Sequence, residues 1–65
     1  MELWIARDDN DDSLWGYDKE PIRNGVDFAC SSDSNMMFQI PRVLFPEVTF
    51  ENSPKKVELK LVEEL

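Results

Sequence analysis

The chain has 65 residues, a net charge of −7, one cysteine and no histidine. It reads as one small domain, residues 1–65, that buries about 60% of the surface its unfolded form exposes. An internal disulfide is excluded and a Cys/His zinc cage cannot form, so good packing or self-association must supply the net stability, of roughly 3–5 kcal/mol at most from the core.

The first strand is expected at "ELWIAR" (2–7), with Leu3 and Ile5 on one face and Trp4 on the other. "SLWGYDK" (13–19) repeats the type, Leu14 alternating with Trp15 and Tyr17. Between them lies the acidic run "DDNDD", which reads as the loop of a hairpin. Pro21 lacks an amide donor and suits an edge or a strand start. Asn24-Gly25 is the strongest turn signal, because both residues tolerate positive φ. "VDFAC" (26–30) alternates, placing Val26, Phe28 and Cys30 on one face, and "MMFQI" (36–40) is again bulky. The two runs, separated by "SSDSN", are expected to form a second hairpin.

Pro41 and Pro46 bracket "RVLF". A stable helix does not fit there; one turn of 3₁₀ helix or an irregular corner does, with Leu44 or Phe45 filling the core. "EVTF" (47–50) is a short strand candidate and "ENSP" a turn. In "KKVELKLVEEL" (55–65), Val57, Leu59 and Leu61 alternate with charged residues, which predicts a strand over 56–61. Glu, Lys and Leu also favour helices, so the alternative is an α+β fold with a C-terminal helix. The fold class expected is all-β: about five short antiparallel strands in a meander or half-open barrel.

Several candidate sites follow. Asp8, Asn10 and Asp12 match the start of a calcium loop, but the sixth position is Ser13 where glycine belongs, and the twelfth is Lys19 where a bidentate glutamate belongs. A solvated hairpin loop is the favoured reading, ahead of a partner-docking surface. Cys30 has no histidine to activate it and is expected to be a buried, inert core residue. The acids are expected in loops or on outward strand positions, without the burial that general acid catalysis requires. Trp4, Trp15 and Tyr17 can meet across the first hairpin. Buried, they form the core, which is the favoured reading; exposed, they form a partner-binding patch.

Residues 1–20 carry seven acids and two bases, a charge of −5. Such a surface repels phosphate backbones, so no nucleic acid is expected as partner. No run approaches the ~20 apolar residues of a membrane span, and the start "MELW" lacks the basic, apolar character of a leader. A lone cysteine suits a reducing compartment. A cytoplasmic protein with no cofactor is expected, its partner another protein or a second copy of itself.

"MELWIARD", "LWGYDKEPIR" and "LFPEVTFENSPKKVELKL" together resemble a group of short uncharacterised proteins of gut anaerobic bacteria and their prophages. The likeness spans nearly the whole chain but carries no activity or catalytic residue with it. The group's first turn is a shorter Asp-Gly type, whereas this chain has "DDNDDS" without glycine, which favours a variable turn over a preserved chelating site. The resemblance implies a mobile-element origin. The expected function is a non-catalytic interaction or accessory module. The alternatives are an acidic decoy for a basic nucleic-acid-binding protein and a small phage structural component.

Overall fold

A computed structural model describes residues 2–58 of the chain. The described residues are all-β: β1 (Glu2–Arg7), β2 (Leu14–Tyr17), β3 (Ile22–Asn24), β4 (Asp27–Ala29), β5 (Met37–Ile40) and β6 (Lys55–Glu58). Four strands form one antiparallel sheet in the order β5-β2-β1-β6, and β3 and β4 form a separate two-stranded ribbon.

β1 and β2 are joined by the acidic loop as the sequence predicts. Trp4 lies opposite Tyr17 and Arg7 opposite Leu14. The Asp8 amide donates to the Ser13 carbonyl at 2.8 Å, and the Ser13 amide donates to Asp11 Oδ1 at 3.0 Å. Asp12 takes the left-handed conformation, φ 64°, which aspartate reaches more easily than most residues. In the ribbon, Asn24 pairs with Asp27 and leaves a two-residue loop that begins at Gly25, φ 66°.

The second expected hairpin does not form. β4 pairs with β3, and β5 crosses to pair with β2. Asp18, the residue after β2, supplies the reason. Its carboxylate accepts the Ser34 hydroxyl at 2.6 Å, the Asn35 amide at 2.9 Å and the Met36 amide at 3.2 Å. These bonds tie the start of β5 to the end of β2. Steric fit fixes the same pairing: Gly16 lies opposite Phe38, and a Cβ at Gly16 would enter the Phe38 ring.

Because strand side chains alternate, the sheet has two distinct faces, and both are covered. On one, Ile5, Leu14 and Val48 form a buried cluster flanked by Ile40 and Val57. On the other, Ala6, Tyr17 and Phe28 are buried, with Trp4, Trp15 and Phe50 packed around them. The ribbon covers this second face through Phe28, which meets Phe50 edge-on at 5.9 Å. Arg23 stacks over Phe50 at 4.1 Å and donates to the Phe50 carbonyl at 2.8 Å, holding the ribbon against the 50–53 turn.

Three further expectations are corrected. Residues 47–50 form no strand: the Val48 amide donates to the Phe45 carbonyl at 2.9 Å and the Thr49 amide to Asn52 Oδ1 at 2.8 Å, so these donors close turns instead of a ladder. The irregular corner at 41–46 is present, with the Leu44 amide bonded to the Pro41 carbonyl at 3.0 Å. Leu44 and Phe45, however, are 46% and 41% exposed, and Val48 takes the core position. Cys30 is exposed, because β4 ends at Ala29 and the alternation does not reach it. Its thiol meets Met37 Sδ at 3.3 Å, and Val26 lies half exposed in the ribbon loop. The strand expected over 56–61 is observed as Lys55–Glu58; Leu59 and Leu61 lie outside the described residues.

Candidate functional site

A cleft of about 550 Å³ lies between the acidic loop and the 42–51 segment. Asp8, Asp9, Asp12 and Glu51 contribute carboxylates to its lining, and Val43, Pro46, Val48 and Phe50 contribute apolar surface. Arg7 and Arg42 also line it, so four acids against two arginines leave its charged lining at −2.

Arg7 explains why this cleft exists. Strand parity puts it on the same face as Leu3 and Ile5, so it points inward and is only 5% exposed. A guanidinium has five N–H donors in a rigid fork, and here all five reach backbone carbonyls. Nε donates to Val48 at 2.6 Å. One terminal nitrogen donates to Asp12 and Arg42, both at 3.0 Å. The other donates to Leu44 and Phe45, both at 3.1 Å. The backbone amide of Arg7 donates in turn to Ser53 Oγ at 3.0 Å. One buried side chain therefore holds the acidic loop and the whole 42–48 segment in register. Its contact with the Asp12 carboxylate, 3.8 Å away and mostly exposed, adds little to this. With every donor engaged, Arg7 is a positioning residue and has no hydrogen left for a ligand in the cleft.

The loop clamped in this way presents three consecutive apolar side chains, Val43, Leu44 and Phe45, exposed by 79%, 46% and 41%. Phe45 is held at φ 52°, a left-handed conformation unfavourable for an aromatic residue. The carbonyl bonds from Arg7 to Leu44 and Phe45 offset that strain.

The acids of the facing loop differ from one another. Asp8 is half-buried, its Oδ1 has no hydrogen-bond partner, and burial, with Asp27 and Asp11 nearby, raises its pKa above the ordinary carboxylate value. Asp11 is lowered by its bonds from Ser13. Asp8 thus departs from the expectation that no acid would be partly buried. Among the described residues, no three acid or thiol side chains converge closely enough to hold a metal ion.

Trp4, Trp15 and Tyr17 all fall on the second face of the sheet, Trp4 opposite Tyr17 and Trp15 opposite Ala6. They do meet, chiefly as core. Tyr17 is wholly buried and offers no surface to a partner. Burial, then Asp8, Cys30 and Asp27, pushes its hydroxyl up to about 12, and that hydroxyl has no hydrogen-bond partner. Trp4 and Trp15 are half-buried; Lys56 Nζ lies 5.9 Å over the Trp4 ring and pairs with Glu2 at 3.1 Å. No motif in the sequence marks the cleft or Arg7, although the parity that places Leu3 and Ile5 inward also places Arg7 inward.

Comparison with protein-family models, with curated proteins and with solved structures returns no match for this chain.

Proposed function

We propose that the protein is a non-catalytic interaction module that takes a basic peptide segment with flanking apolar residues into the cleft beside Arg7. The observation that carries this reading is the 42–51 segment, clamped by Arg7, whose Val43, Pro46 and Phe50 line the same cleft as the carboxylates of Asp8, Asp9, Asp12 and Glu51. A clamped loop loses little entropy when it binds, so apolar contacts there contribute more to affinity. The neighbouring acids Asp9, Asp12 and Glu51 favour a cationic partner and speed its approach. The basic partner links this reading to the decoy alternative, but here the acids serve one cleft and do not form an extended phosphate-like array. The resemblance to prophage-encoded proteins supports an accessory role in a mobile element.

The test is a titration with a synthetic lysine–leucine peptide, with a glutamate–leucine peptide as control. The basic peptide is expected to bind at about 10–100 µM in low salt and to weaken several-fold at about 0.5 M salt. The variant Asp9→Asn/Asp12→Asn/Glu51→Gln should lose about tenfold or more; asparagine also tolerates the left-handed backbone at position 12. Equal binding of both peptides, or full binding by that variant, would reject the cleft.

A further inference from the structure

We infer that the free edge of β5 is a self-association surface, and that two copies of this chain join there into one continuous eight-stranded antiparallel sheet. The inference is independent of the cleft. Both outer strands of the four-stranded sheet leave backbone donors and acceptors without a neighbouring strand among the described residues, and natural proteins usually protect such edges with charge or proline. β6 follows that rule with Lys55, Lys56 and Glu58. β5 does not: Met37, Phe38, Gln39 and Ile40 carry no charge and no proline. In a chain of net charge −7, this uncharged strip is where a like-charged second copy can approach with least repulsion.

The surface is also complementary to itself. A two-fold axis perpendicular to the sheet keeps each face continuous across an antiparallel junction, so residues of equal parity must oppose one another. With the axis at Phe38, Met37 opposes Gln39 of the second copy and Met36 opposes Ile40 of the second copy. Met36 and Met37 are exposed by 38% and 45%. The segment Gln39–Arg42 carries a shallow hollow of about 370 Å³. Each copy thus brings one flexible apolar side chain to each face of the Gln39–Ile40 end of the other, where the hollow lies, and methionine adapts well to such seats. The same arrangement carries Arg42 of one copy toward the Asp18 and Asp33 end of the other, placing a cation near acids at both ends of the junction. Asp18 already holds the turn before β5 through its bonds to Ser34, Asn35 and Met36, so the edge is ordered before a second copy arrives.

Sedimentation of the full chain from about 10 µM to about 1 mM measures this, since an interface of one short strand pair is small and its dimer weak. The apparent mass should rise from 7.6 kDa towards twice that value. Added salt should strengthen association, because it screens the repulsion between two acidic copies. Gln39→Lys places a charge on the edge and should weaken the dimer about tenfold or more, with the melting temperature of dilute protein unchanged; Met36→Glu is a second variant outside the strand. Lys56→Ala, on the other edge, should leave the dimer intact. A chain that stays monomeric at about 1 mM overturns the proposal, including the case in which β5 takes a strand from a different protein. A dimer that survives both β5 variants, or that fails with Lys56→Ala, overturns it equally.

Discussion

The two faces of the central sheet are sealed by different means. The second face is closed by bulk: Tyr17, Phe28 and Phe50, with the tryptophan rings around them, exclude water by area alone. The first has smaller aliphatic residues, Ile5, Leu14 and Val48, and is completed by a buried charge whose five donors engage the backbone of the acidic loop and of the 42–48 segment. Bulk tolerates small changes of shape, whereas a hydrogen-bonded hub fails as a unit when its centre is removed. The first face, which also builds the cleft, should therefore be the more brittle.

Removing Arg7 tests this most severely. Arg7→Ala deletes five hydrogen bonds and takes their donor from the carbonyls of Asp12, Arg42, Leu44 and Val48, while the Phe45 carbonyl keeps only the Val48 amide. The expected loss is about 3–5 kcal/mol, similar to the whole net stability of so small a domain. Arg7→Lys keeps the charge but not the fork, and about half of that loss is expected. Urea titration followed by tryptophan fluorescence measures both; a loss below about 1 kcal/mol for Arg7→Ala would show that the loop holds itself.

The aromatic face should respond in the opposite sense to loss of a polar group. Tyr17→Phe removes a buried hydroxyl that has no partner and keeps the ring, so stability should stay level or rise by up to about 1 kcal/mol. A clear decrease in the same titration would reveal a bound water bridging Tyr17 to the neighbouring Asp8.

The smallest effect concerns pH, and here the two structured acids oppose each other. Asp18 is lowered from 3.8 to about 2, chiefly by the Ser34 hydroxyl and the Asn35 amide. Its contribution is present above pH 3.8 and lost as pH falls towards about 2. Asp8 is raised from 3.8, chiefly by burial. Its protonated form suits the folded state, so its contribution is present below pH 3.8 and lost as pH rises through the folded value. Asp18→Asn should therefore destabilise at neutral pH and converge with the parent in acid, while Asp8→Asn should be neutral or mildly stabilising at pH 7. Thermal melts of the two variants across pH 2–7 check the signs, and carboxyl chemical shifts assign each titration.

The sequence by itself determined the all-β class, the β1–β2 hairpin with its acidic loop, the turn at Gly25 and the irregular corner between Pro41 and Pro46. These rest on alternation, turn chemistry and proline sterics, which act over a few residues and can be read there. It also brought Trp4, Trp15 and Tyr17 to one face, since parity and a single hairpin suffice for that. Only the tertiary structure decided that β5 joins β2, because the choice rests on Asp18 reaching residues 16 to 18 positions away and on Phe38 fitting over Gly16. The role of Arg7 was decided the same way. Its main acceptors lie 35 to 41 residues along the chain, and backbone carbonyls look alike in every sequence. No residue type marks which of them will converge on one guanidinium until the chain has folded around it.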